Sequence, residues 1–231
     1  MVRVAAAADL RYAMDELSRV FERTHTDARL SVTYGSSGTF FAQLQNGAPF
    51  DVFLSADVDY PTQLAARGLT LDPPFEYGRG RLVLWVAEGS AVNVEQRGLR
   101  ALTDPSVARV AMANPAHAPY GRAAQAALRE AGLAEAVAPK LVLGENVSQA
   151  LQFAQTRAAD AALVALSLVR APQAKGRFVE LPPASYPPIV QGGVVMRQTS
   201  VAAAARAFAA FLITREGNAI LARYGLGQDG Q

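Results

Sequence analysis

The sequence predicts an α/β protein of two lobes, each a mostly parallel sheet flanked by helices, joined by two chain crossings into a hinged clamshell. Three observations carry this prediction. Short apolar runs that suit buried strands alternate with stretches whose apolar residues recur at helical spacing. That alternation falls into two clusters, roughly Met1–Gly80 and Leu82–Pro188. The remaining segment, from Ile189, has one strand-like run and two helix-like stretches, too few for a sheet of its own, so it returns to complete the first cluster. The lobes are therefore expected as residues 1–80 with 192–231, and residues 81–191, with crossings near Gly80–Leu82 and Gln191–Gly193.

Each element has its own reason. Val2–Ala8 is apolar on both faces apart from Arg3, as in a strand covered on both sides. Leu10, Met14, Leu17 and Phe21 then share one helical face, so Leu10–Arg23 is a helix. Leu30–Thr33 is a strand, Tyr34–Gly38 a small-residue turn, and Thr39–Gln45 a helix stopped by Asn46-Gly47. Asp51–Leu54 is a strand and Val58–Ala66 a helix ended by Gly68. In the second cluster, strands are expected at Leu82–Ala87, Arg109–Ala113, Leu141–Leu143 and Ala161–Val164, with helices at Pro119–Arg129 and Ser148–Ala158. Ile189–Met196 is a strand, and Ser200–Thr214 and Gly217–Tyr224 are helices.

Composition bounds the function. Of 231 residues, 51% are hydrophobic and 18% charged, enough apolar mass for a real core and too much for a disordered chain. There is no cysteine, which excludes a disulfide framework and thiolate-ligated zinc. Basic and acidic residues nearly balance, 22 − 20 = +2, and they are scattered, so there is no nucleic-acid footprint. The scarcity of lysine, only Lys140 and Lys175, reads as compositional bias. The longest apolar stretches, Ala161–Val169 and Val201–Ile213, fall short of the roughly 18–20 residues that a membrane span needs. Met1 is followed almost at once by Val4–Ala8 with no signal-peptide layout, which leaves a cytosolic protein or the mature form of an exported one.

Ligands of open α/β sheets bind beyond the carboxyl ends of the strands, where helices begin. Four such junctions carry small or hydrogen-bonding residues: Ala7-Ala8-Asp9-Leu10, Tyr34–Thr39, Ala118-Pro119-Tyr120-Gly121 and Gly144–Ser148. Two fall in each lobe. If all four face one cleft, their free N–H groups, the serine hydroxyls and the Tyr120 phenol form a site for a small oxyanion without any lysine or arginine. Each junction alone has a plainer reading: Asp9, Ser37 and Asn146 as helix caps, and Gly35, Gly38 and Gly121 as turn residues. His25 lies in a polar turn, and His117 has no acid–base partner in sequence. No HExxH, GxSxG or phosphate-binding loop is present, and no nucleophile, base or metal set is visible. Asp57 and Asp59 read as capping or solvated charge.

Several stretches together resemble the periplasmic molybdate-binding proteins of ABC importers. They are Ala6–Leu10, Tyr34–Gly38, Asn46–Asp57, Asn114–Gly121, Gly144–Ala150 and the closing Arg223-Tyr224-Gly225, spread over essentially the whole chain. The resemblance implies a type II periplasmic-binding-protein fold that closes on a tetrahedral oxyanion, molybdate or tungstate, without cofactor or catalysis. Carried over position by position, it implies contacts from Ala8 and Asp9, Ser36 and Ser37, Tyr120, and the backbone N–H of Val147. Many members of the family have a tyrosine where this chain has Ala165; Tyr120 stands in for it. The resemblance further implies a periplasmic monomer whose export signal has been removed, and an ABC permease as partner. Metal enters the site only as part of the oxyanion.

One position departs from the family, which usually has serine or asparagine in place of Asp9. A carboxylate aimed at a dianion is repulsive. Asp9 can turn away and cap its helix, be protonated when ligand binds, or accept a hydrogen bond from a protonated oxyanion or pair with a cation such as Arg11. Capping is the expectation here, because aspartate is a good N-cap. The alternatives are a receptor for a different oxyanion or small ligand, and a ligand-sensing module not coupled to transport.

Overall fold

The first strand, β1 (Val2–Ala7), is buried on both faces because its side chains alternate between two packed layers. A computed structural model describes residues 1–227. It divides into two compact units: unit 1 holds Met1–Arg79 and the chain from Val190 onward, and unit 2 holds Gly80–Ile189. The chain thus passes between them at Arg79/Gly80 and at Ile189/Val190.

In unit 1, β1 leads through a 3-10 turn (Ala8–Leu10) into α1 (Arg11–Thr24). Then come β2 (Leu30–Gly35), α2 (Ser37–Gln45), β3 (Val52–Ser55), α3 (Asp59–Ala66) and β4 (Phe75–Gly80). Its five-stranded sheet is ordered β2-β1-β3-β10-β4, where β10 is Ile189–Val195, the strand that follows the second crossing. β1 runs parallel to β2 and β3, and β10 runs antiparallel to β3. On one face, Val4, Ala6, Val52 and Leu54 pack with Leu10, Met14, Leu17 and Phe21 and with Phe208 of a later helix, Ala202–Leu212. On the other, Ala5, Phe53 and Val194 pack with Phe40, Leu44 and Leu64. Each large side chain so buried contributes about 1.5–3 kcal/mol.

Unit 2 holds β5 (Leu82–Ala87), α4 (Val94–Arg97), β6 (Val110–Ala113), α5 (Pro119–Glu130), α6 (Ala134–Val137), β7 (Leu141–Gly144), α7 (Val147–Gln155), β8 (Ala161–Ala165), α8 (Leu166–Val169) and β9 (Gly176–Glu180). Its sheet is ordered β7-β6-β8-β5-β9. β6 is parallel to β7 and β8, and β5 is antiparallel to β8 and β9. After β10, α9 (Ala202–Leu212) and α10 (Arg215–Arg223) follow in unit 1. Both sheets are therefore mixed, with parallel strands grouped at one side of each.

The pattern-based reading finds eight of these ten strands and misses β4 and β9. Both are edge strands, and Phe75–Gly80 and Gly176–Glu180 mix glycine with charged residues instead of running apolar. That composition suits an edge, which must resist pairing with other chains. Among the described residues no helix is long and apolar enough to cross a membrane.

Candidate functional site

The strand registers place the four junctions. In unit 1, Ala7 lies beside Gly35 and Ala6 beside Leu54, so β1, β2 and β3 end at the same side of the sheet. In unit 2, Ala113 lies beside Gly144, so the turns after β6 and β7 are neighbours. Sheet geometry thus gathers Ala8, Asp9, Ser36 and Ser37 in one unit, and Tyr120 and Val147 in the other.

Ser36 and Ser37 are adjacent but bond to different partners. Ser36 is the N-cap of α2: its Oγ accepts from Thr39 N–H at 3.3 Å and donates to Thr39 Oγ1 at 2.7 Å. Its hydroxyl is used within its own turn. Ser37 Oγ, almost fully buried, accepts the Ala56 N–H at 2.9 Å from the turn after β3. That bond fixes the side chain and keeps the hydroxyl hydrogen as a donor.

Asp9 is fully buried, and it does not take the expected capping position. It lies inside the 3-10 turn; the cap positions there and at α1 are Ala7 and Leu10, and neither makes a side-chain cap bond. Its Oδ2 instead accepts from Gln191 Nε2 of β10. Gln191 Oε1 in turn accepts the Tyr77 hydroxyl at 2.8 Å, and that hydroxyl also reaches the Ser55 carbonyl oxygen at 3.0 Å. The Gln191 amide thereby satisfies a carboxylate oxygen that has been removed from water. Burial pushes the Tyr77 phenol well above its ordinary pKa, and the Asp9 charge adds to the shift.

The turn after β6 is held by Asn114, whose Oδ1 accepts from Ala116 N–H at 3.0 Å and whose carbonyl accepts from Ala118 N–H at 2.9 Å. Pro119 opens α5, where it loses no helical donor. Tyr120 follows, 2% exposed. A Cβ on Gly121 would stand 2.3 Å from the Ala113 carbonyl oxygen, so only glycine lets α5 start this close to the end of β6. In the neighbouring turn, Asn146 caps α7 by accepting from Gln149 N–H at 3.0 Å, and Gln149 Oε1 accepts from Glu145 N–H at 2.7 Å. Val147 is the first residue of α7, where an N–H has no helical acceptor. His117 Nε2 lies 3.0 Å from the Glu145 carbonyl oxygen, a contact that requires the proton on Nε2. This side chain joins the third junction to the fourth.

Each unit offers hydroxyls and helix-start N–H groups, at Ser36 and Ser37 in unit 1 and at Tyr120 and Val147 in unit 2, with the buried Asp9 carboxylate among those of unit 1. Among the described residues there is no group of three or more histidine, cysteine, aspartate or glutamate side chains that could hold a metal ion. Neutral, fixed donors of this kind suit a small anion removed from water.

Comparison with known proteins decides the family. Residues 2–227 match the bacterial extracellular solute-binding proteins. The chain belongs to that family. Among its relatives, the molybdate-binding protein of Rhodobacter capsulatus is 37% identical over 97% of this chain and 87% of its own length. That of Azotobacter vinelandii is 35% identical over 98% of this chain and 89% of its own. The solved structure of the Azotobacter vinelandii periplasmic molybdate-binding protein superimposes with a TM-score of 0.92, at 30% identity and full coverage of both chains.

For a solute-binding protein the informative omissions of the sequence reading are Gln191 and Tyr77. They sit far from Asp9 in sequence, and no local motif joins them. One signal was present for Gln191: an amide in the middle of an otherwise apolar strand needs a buried partner. Nothing in Phe75–Gly80 marks Tyr77. His117 did have a partner, but it is a backbone carbonyl and therefore invisible in residue identities.

Proposed function

We propose that this solute-binding protein captures molybdate and tungstate in the periplasm and delivers them to the permease of an ABC importer. The observation that carries the reading is its similarity, along the whole chain, to molybdate-binding proteins. The donor chemistry supports it. Ser37 gives a hydroxyl hydrogen, the turn at Ala8 and Asp9 and the start of α2 give N–H groups, and Tyr120 and Val147 give donors from the second unit. Both units carry donors of this one kind, and the loaded receptor is the form that a permease reads. Fixed donors select by anion radius, which separates molybdate from sulfate and leaves tungstate nearly indistinguishable from molybdate. Asp9 contributes backbone, its Oδ2 being engaged by Gln191.

Calorimetric titration with molybdate, tungstate, sulfate and phosphate at neutral pH tests this. Tight binding of the first two, with no heat from the others, is the expected result. Preference for another anion would show that Asp9 has redirected the site, and silence toward all four would remove the oxyanion reading. In the same assay Asp9→Ser should bind molybdate as well as the parent or better; a large loss would make the carboxylate a ligand contact.

A further inference from the structure

We infer that Gly80 is a positioning residue for Tyr120: its missing side chain lets the Tyr120 hydroxyl lie against the segments where the chain crosses between units. The inference rests on the proposed ligand role of Tyr120. An ideal Cβ on Gly80 would stand 2.3 Å from Tyr120 Oη, 3.0 Å from Tyr120 Cζ and 2.9 Å from Ile189 Cγ2. Gly80 does not have a positive φ, so its backbone is open to any residue, and the requirement for glycine is one of space. Gly80 is the first residue of unit 2 and Ile189 the last. Ile189 and the Tyr120 hydroxyl therefore both border the space that a side chain at Gly80 would fill.

Tyr120 cannot easily give way. It is buried at the start of a twelve-residue helix, between Pro119 and Gly121, and Gly121 already brings the helix against the Ala113 carbonyl. A methyl group at position 80 must then displace the phenol oxygen or the crossing segment. Gly80 exerts its effect through Tyr120 and makes no ligand contact itself.

The test is a double-mutant cycle of Gly80→Ala and Tyr120→Phe, read by melting temperature without ligand and by calorimetric molybdate affinity. Removing the hydroxyl removes the shortest clash, so the two changes should couple strongly. Gly80→Ala should lower the melting temperature in the parent and lower it by clearly less in the Tyr120→Phe background, where the contacts to Ile189 Cγ2 and the ring carbon remain. It should weaken molybdate binding about tenfold or more in the parent, and by less than about twofold when Tyr120 is already Phe. Additive effects in either readout would overturn the inference, as would unchanged molybdate affinity in Tyr120→Phe. If Gly80→Ala alone fails to fold, a folded double variant supports the inference and an unfolded one overturns it. A parent that gives no molybdate heat would defeat the ligand reading, and the melting cycle would still decide whether Gly80 places the Tyr120 hydroxyl.

Discussion

Asp9, Gln191 and Tyr77 come from three distant stretches, yet their side chains form one line of hydrogen bonds ending on the Ser55 carbonyl. The line has a direction. The phenol donates to the glutamine oxygen, and the glutamine nitrogen donates to the carboxylate, so each group fixes the orientation of the next. Tyr77→Phe removes the donor that both Ser55 and Gln191 use, and should cost about 1–3 kcal/mol in urea unfolding. The pH dependence follows from the raised Tyr77 pKa. A phenol held neutral in the folded state stabilises it fully below the unfolded value near 10, and that contribution is lost as pH rises beyond it. Parent protein should therefore lose stability above about pH 10 more steeply than Tyr77→Phe. Equal alkaline limbs would place the linkage elsewhere. At this scale the sequence is legible where chemistry is local, as in the Asn146 cap, and silent where it joins residues 9, 77 and 191.

At the scale of elements, the sequence reading runs α7 on to Ala158, whereas the helix stops at Gln155. The cause is Arg157, whose φ of 60° makes it the one non-glycine residue in the left-handed region among those described. Its N–H bonds the Ala154 carbonyl, and Ala159 N–H bonds that of Phe153, which closes the helix end. Glycine usually fills such a position, and any Cβ there costs about 1 kcal/mol. The Arg157 guanidinium offsets part of this by donating to the Glu88 carbonyl at 3.1 Å. Arg157→Gly and Arg157→Ala both lose the bond to Glu88, and only glycine relieves the backbone, so Arg157→Gly should be more stable than Arg157→Ala by about 1 kcal/mol in denaturant titration. Equal stabilities would show that the left-handed backbone at this position carries no strain. Helix ends and edge strands are the elements least legible in a single sequence, because what decides them is a φ angle or a place at the margin of a sheet. Buried strands and amphipathic helices, which announce themselves by periodicity, were located within a few residues.

At the scale of the whole molecule, unit 1 is made from both ends of the chain, and Asp51 ties them. Its carboxylate accepts from Arg3 N–H at 2.7 Å and from the Thr199 hydroxyl at 2.9 Å, and pairs with the Arg3 guanidinium at 3.2 Å. Burial alone would raise the Asp51 pKa, but the bonds from the Arg3 side chain and backbone and from Thr199 outweigh it and hold it below the usual carboxylate value. A depressed pKa gives stability that is present above about pH 4 and lost as pH falls through that range. Asp51→Ala should cost about 2–4 kcal/mol at neutral pH and flatten the acid limb of the stability curve, both measurable by denaturant titration across pH. An unchanged acid limb would assign that linkage to another carboxylate. Two-lobe organisation was readable from the count of strands, since the tail after Ile189 had no sheet of its own to join. The place it takes was not readable: β10 enters between β3 and β4 instead of adding at an edge. That insertion has a consequence for biosynthesis. On a chain made from its N-terminus, every strand of unit 2 has been synthesised before β10 is complete, whereas β4 must wait beside a gap until β10 arrives. Unit 1 is begun before unit 2 and finished after it.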